Sequence, residues 1–211
     1  APAVPDCPAS GKYIPLAVAE AKKYDGVEAD EYVIGLVQYR TSFSSALPDT
    51  LVRGYVQLES PSWVAAHPGG SQHFPLFNEL HDGTLVDTGY FCVTPPQYLG
   101  PIIASEKNKP VRIVFRNLLP TGADGDLFLP TDSTLMGSGM GPIPMADPVD
   151  QGTVMDMVRN PMCSEYPKPD DCFSDNRATL HLHGGISPWI SDGTAHQWIT
   201  PAGETTPWPQ G

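Results

Sequence analysis

Two histidines stand one residue apart in the segment ATLHLHGGISPWISDG, residues 178–193, of a chain that has 6 histidines in all. In a β-strand, side chains i and i+2 leave the same face with their Cα atoms about 6.6–6.8 Å apart. His181 and His183 therefore point the same way, and Leu180 and Leu182 point to the opposite, apolar side. At that separation two imidazoles can converge on one metal ion or reach two neighbouring ions. Gly184 and Gly185 end the strand without side chains, which leaves room for other groups to approach. The residues alone leave a second reading open, two histidines on a solvated sheet face, which an isolated H-x-H fits at least as well. Asp192 with Gly193 reads by itself as an ordinary Asp-Gly turn. Trp189 and Trp198 flank that turn and read as core or wall residues that exclude water.

Other residue types capable of chemistry are less ordered along the chain. His67, His73 and His81 lie in a stretch mixed with Pro and Gly at intervals that match no compact ligand template, and they read as surface-loop histidines. All 6 methionines, Met136, Met140, Met145, Met155, Met157 and Met162, fall within residues 121–177. Thioether sulfur is a soft ligand that favours Cu(I), but the spacing meets no coordination template, and apolar anchoring of a long loop is the preferred reading. The 4 cysteines, Cys7, Cys92, Cys163 and Cys172, form no C-x-x-C arrangement. Two disulfides in an oxidising compartment is the simple expectation, with free buried thiols as the alternative. Cys163 with Cys172 is the favoured pair, because the polar, Pro-rich MCSEYPKPDDC has little else to fix it. Cys7 with Cys92 would then tie an N-terminal arm to the body.

The elements that must position these residues read as β. EYVIGLVQYR from Glu31 is rich in β-branched and aromatic residues, and LVRGYVQLES (51–60) reads as its partner across a loop containing Pro48 and Asp49. In KPVRIVFRNLLP (109–120), Val111, Ile113 and Phe115 alternate with Arg112 and Arg116, the period-2 pattern of a strand with one buried face. Residues 1–30 read as an N-terminal arm in which LAVAEAKKYDG is either a short helix ended by Gly26 or extended chain. Residues 31–211 read as one domain, with 121–177 as a long loop insertion.

Composition agrees with this. With 40% hydrophobic and 17% charged residues a core is within reach, and 24 prolines and 20 glycines limit long helices. A net charge of −12 repels phosphate backbones and anionic headgroups, which argues against nucleic acid as a partner. No run of about 18 apolar residues is present to span a bilayer. A first residue of Ala1 with no such run reads as a processed, soluble chain, secreted or periplasmic.

HLHGG, followed by SPWISDG and HQWITPAGE, resembles the first copper-binding segment of the multicopper oxidases, laccase-like enzymes built from cupredoxin domains. QYLGPIIASEKNKPVRIVFRNLLP is similar to the pair of strands that precedes that segment in the family. The resemblance covers about residues 97–120 and 178–204 strongly and the first 96 loosely. It implies an all-β, cupredoxin-like Greek-key β-barrel or sandwich. It implies that His181 ligates the type 2 copper and that His183 ligates a type 3 copper of a trinuclear cluster that reduces dioxygen to water. Asp192 would be the acidic residue that helps protons reach the cluster, a role suited to a carboxylate beside cationic metal. His196 is near but is not a ligand in the family pattern.

The family pattern needs further histidine pairs and a cysteine flanked by histidine for the type 1 copper. None of the 4 cysteines here has a histidine neighbour, there is no second H-x-H, and the sequence stops at TTPWPQG. The expectation is an N-terminal part of a larger oxidase, partnered by the remaining polypeptide, dioxygen and a small electron donor, phenolic or a metal ion. A non-catalytic copper-binding or structural cupredoxin-like module is the alternative.

Overall fold

The central strand is buried on both faces, which explains its nearly unbroken apolar run. In the computed structural model, which describes residues 13–68, 73–135, 137–141, 143–144, 153–154, 163, 168–169, 172–189, 192–193 and 197–210, this strand is β2, Val27–Thr41. It begins four residues before the expected start and pairs antiparallel with β3, Thr50–Gln57, from Ile34↔Gln57 to Thr41↔Thr50. The expected partnership across the Pro48–Asp49 loop is therefore present.

The segment expected as arm or short helix instead folds as β1, Glu20–Tyr24, hairpinned onto β2 with Tyr24 opposite Val27. The cause is the Asp25-Gly26 pair. Both residues take positive φ, 49° and 86°, as a two-residue type I′ turn requires. The hairpin places Tyr24 beside Glu31. Arg112 Nη1 donates to the Tyr24 hydroxyl at 2.5 Å and to Glu31 Oε2 at 2.7 Å, and the Tyr24 hydroxyl donates to the same carboxylate.

Two further strands were not expected. β4, Phe74–Glu79, and β5, Leu85–Cys92, form a hairpin across the His81-Asp82-Gly83 turn, preceded by the six-residue helix α1, Pro61–Ala66. Ser60 caps that helix by accepting from Trp63 N at 3.0 Å, and Pro61 occupies its first turn, where a missing N–H costs nothing. β6, Val111–Asn117, runs parallel to β2, from Asp30↔Val111 to Leu36↔Asn117.

One face of this sheet packs on the β4–β5 hairpin. Val33, Val37, Val56, Leu58, Leu76 and Cys92 form the buried cluster, with Phe74, Tyr90 and Val114 against it. The expected burial of Val111, Ile113 and Phe115 is corrected here for the first two, while Phe115 is half-buried against Tyr55. Val111 and Ile113 are exposed, and Val114 faces the cluster because the register sets it opposite Val33. On the other face Tyr32, Ile34 and Leu36 are buried, and the Tyr32 hydroxyl donates to the Ala104 carbonyl at 3.3 Å.

The chain divides into two compact units, Ala1–Leu119 and Pro120–Gly211, next to the start of the expected insertion. In the second, a 3-10 turn at Gly122–Gly125 and the paired β7, Ile143–Pro144, and β8, Thr153–Val154, are the regular elements among the described residues. Cys163 and Cys172 form the expected disulfide, and Met140, bridged through its backbone to Cys172, is buried in a cluster with them. Cys92 is also disulfide-bonded, and its expected partner Cys7 lies outside the described residues, as do Met136, Met145, Met155, Met157 and Met162. The architecture is all-β. Among the described residues no helix is long and apolar enough to cross a membrane.

Candidate functional site

The histidine segment begins where residues 178 and 199 exchange both backbone hydrogen bonds, Ala178 N to Ile199 O and Ile199 N to Ala178 O, each 2.9 Å. From there the chain does not continue as a strand, contrary to expectation. Among the described residues a single bridge joins His181 to Asp192, and Gly184, at φ 78°, sits in the turn closed by Gly185 N donating to the Leu182 carbonyl. Leu180 and Leu182 consequently lack the expected apolar packing and are 41% and 59% exposed.

The two imidazoles do come together. Their ring centroids are 5.7 Å apart with the planes at 63°, an edge-to-face arrangement. His181 Nδ1 lies 2.7 Å from the Asp192 carbonyl oxygen. A carbonyl can only accept, so Nδ1 carries a proton, and in the neutral ring Nε2 is then the nitrogen with the free lone pair. The same nitrogen is 3.2 Å from Asp192 Oδ1, and Ser187 Oγ donates to that carboxylate oxygen at 3.1 Å. Asp192 thus touches His181 through both its main chain and its side chain.

Gly193 makes this approach possible. A Cβ at position 193 would meet His181 Cβ at 2.6 Å and the Leu180 carbonyl oxygen at 3.1 Å, and the residue sits at φ 68°. The Asp-Gly pair is therefore the support for a ring, with Asp192 in a backbone bridge to His181. Ser187 and the main-chain role of Asp192 carry no sequence signal, because their contacts depend on how the loop returns.

The two tryptophans part company. Trp198 is half-buried: its Nε1–H donates to the Trp208 carbonyl at 3.0 Å, and its ring meets Phe173 edge-on at 5.3 Å. Trp189 is 70% exposed, so the expected wall role does not hold for it. His196 lies outside the described residues.

The remaining histidines do local work elsewhere. His67 Nδ1 donates to the Trp63 carbonyl at the end of α1 and stacks on the Trp63 ring, and His73 Nδ1 meets Glu59 Oε2 at 2.7 Å. Arg40 donates to the His81 carbonyl. The structure does not bring them together, in keeping with the reading as loop histidines.

Imidazole nitrogens suit copper, and a ring whose second nitrogen is tied to an oxygen acceptor is set up as a metal ligand. The donor set offered is two nitrogens. Among the described residues no group of three or more His, Cys, Asp or Glu is arranged to hold a metal ion. No family model, curated protein or solved structure matches the chain.

Proposed function

We propose that this chain is the N-terminal part of a copper-dependent oxidase of the multicopper type, with a cupredoxin-like Greek-key fold, and that His181 and His183 are two ligands of its trinuclear centre. In this reading His181 holds the type 2 copper and His183 a type 3 copper. The remaining ligands and the type 1 site come from further polypeptide. Bound copper would supply the one-electron chemistry that couples oxidation of a phenolic or metal-ion donor to reduction of dioxygen to water.

What carries the reading is one observation: the imidazoles lie edge to face at 5.7 Å, with His181 Nδ1 held by the Asp192 carbonyl. That bond fixes the tautomer and the ring plane before any ion arrives, which lowers the ordering cost of ligation. The Asp192 carboxylate, 51% exposed and hydrogen-bonded by Ser187, can take a proton from solvent and pass it inward. His181 and His183 bind, and Asp192 orients and carries protons.

A second reading has its own support. Two donors on an open surface, with no third ligand among the described residues, also suit a module that only carries copper. Native and denaturing mass spectrometry with copper quantified on the same sample separates the two. The oxidase reading expects a larger native assembly, several coppers, and separation on denaturation into this chain plus polypeptide bearing further histidine pairs. A lone species of 22.7 kDa with one copper or none would sink it in favour of the module.

A further inference from the structure

Within the second unit, an open cavity of about 310 Å³ is lined by Leu127, Thr131, Ser174, Arg177, Gln197 and Trp198, among others. The imidazoles do not line it, although Gly193, which lies against His181, does. Its size is at the lower end of small-ligand sites, roughly 300–1,000 Å³.

Its chemistry is set by Arg177. The guanidinium lies over two aromatic rings that meet edge-on, with its carbon 4.6 Å from the Phe173 centroid and 4.8 Å from that of Trp198. Arg177 Nε donates to the Ser174 carbonyl at 2.8 Å, and Nη2 donates to the Gly137 carbonyl at 2.7 Å. Among the described residues Nη1 has no hydrogen-bond partner, and neither of the two bonds goes to a carboxylate. A half-buried cation held only by neutral carbonyls is under-compensated. Burial accordingly pulls its pKa below the ordinary arginine value, against the opposing charge of Asp175.

Asp175 also lines the cavity, but its charge is already engaged. Lys168 Nζ donates to Oδ1 at 2.6 Å, and Leu127 N donates to Oδ2 at 3.2 Å. Ser174 Oγ is buried with no hydrogen-bond partner. The Thr131 hydroxyl and the Gln197 carboxamide add polar groups at the wall, and Trp198, Leu127 and Ala178 supply apolar surface. One planar cation, one unused buried hydroxyl and an aromatic wall call for an anion that is flat and mostly apolar.

We infer that this cavity binds a small carboxylate with an aromatic or compact apolar body, its oxygens on Arg177 and its body against Trp198. A carboxylate matches the guanidinium fork geometrically, and a ligand with no apolar body would leave the Trp198 side of the cavity wet.

The test uses the full 211-residue chain and benzoate as the probe, followed by the NMR shift of the Trp198 indole N–H. Acetate and benzamide separate charge from shape. The expected result is saturable binding of benzoate, with acetate and benzamide each weaker by roughly tenfold or more. Thr131→Asp places a carboxylate at an exposed wall position without touching the aromatic stack, so it preserves the fold and should also weaken benzoate roughly tenfold or more. Arg177→Gln should abolish binding. No benzoate binding up to about 10 mM, equal binding by benzamide or acetate, or an unchanged affinity in Thr131→Asp would each overturn the inference.

Discussion

At position 193 the chain has no room for a side chain, and that constraint determines how His181 is held. The Asp192 carbonyl reaches Nδ1 only because Gly193 lets the returning loop lie against His181 Cβ. Gly193→Ala is therefore expected to push the loop away and to weaken copper binding by about 10–100-fold, the usual cost of losing a partner that orients a metal ligand. Competition against a chelator of known affinity measures it, and an unchanged affinity would remove Asp192 as the orienting group. On the proposed oxidase reading, His181→Ala and His183→Ala in the intact protein should deplete the cluster and abolish dioxygen reduction, leaving a blue type 1 band, if one exists, largely in place. Loss of the blue band with an intact cluster would refute the assignment. Asp192→Asn keeps the main-chain bond and removes only the carboxylate, so copper should be retained, turnover slowed and the pH profile altered. At this scale the sequence was legible for residue types and spacing. It was silent on Ser187 and on the carbonyl of Asp192, because neither contact follows from local periodicity.

Among the elements, the turns and close approaches are where a single substitution tests the strand pairings. Gly54 in β3 lies under the 97–100 segment: a Cβ there would meet the Gln97 carbonyl oxygen at 2.5 Å and Tyr39 Cε1 at 2.9 Å. That carbonyl cannot retreat cheaply, since Gln97 exchanges two backbone bonds with Tyr55, at 2.8 and 2.9 Å. Gly54→Ala should cost about 1–3 kcal/mol through overpacking, and Gly26→Ala, with open space around it, about 1 kcal/mol through the left-handed turn alone. Urea denaturation followed by far-ultraviolet circular dichroism reads both. A neutral Gly54→Ala would mean that the strand beside Gln97 is misplaced. The same elements explain what could be read in advance. β2 and β3 were legible because a strand buried on both faces concentrates β-branched and aromatic residues. The β1–β2 hairpin was not legible because LAVAEAKKYDG fits a short helix as well as extended chain, although the Asp25-Gly26 turn decides the local topology. β4 and β5 were hidden by interspersed Pro, Asp and Gly. The run 179–183 carried the alternation of a strand, but among the described residues it forms only the isolated bridge from His181 to Asp192.

Over the whole molecule, 24 acidic against 12 basic residues make the carboxylates the dominant titrating groups below neutral pH, and two of them respond to folding in opposite senses. In the first unit, burial alone would raise the Glu31 pKa, but hydrogen bonds from Tyr24 and Arg112 and the charges of Arg112 and Lys22 outweigh it, so the carboxyl lies below its ordinary value. Its contribution to stability is present above the unfolded pKa and is lost as pH falls through the folded one. In the second unit, burial raises the Asp126 pKa. Asp175 and Glu204 act the same way against the charge of Lys168 and a backbone hydrogen bond from that residue. Here the folded form holds its proton longer, so the contribution is present below the unfolded pKa and is lost as pH rises through the folded one. Acidification from neutral pH should therefore weaken the Glu31 contribution in Ala1–Leu119 while relieving the Asp126 cost in Pro120–Gly211. Hydrogen exchange read by mass spectrometry resolves the two units in one sample, and isosteric variants separate these residues from the background of other carboxylates. Glu31→Gln should lower protection in the first unit at pH 7 and flatten its loss towards acid pH. Asp126→Asn should raise protection in the second unit at pH 7 with little effect well below the ordinary aspartate range. If Asp126→Asn instead lowers protection at pH 7, the ionised carboxylate is a net stabilising partner of Lys168, and the opposed response of the two units is lost.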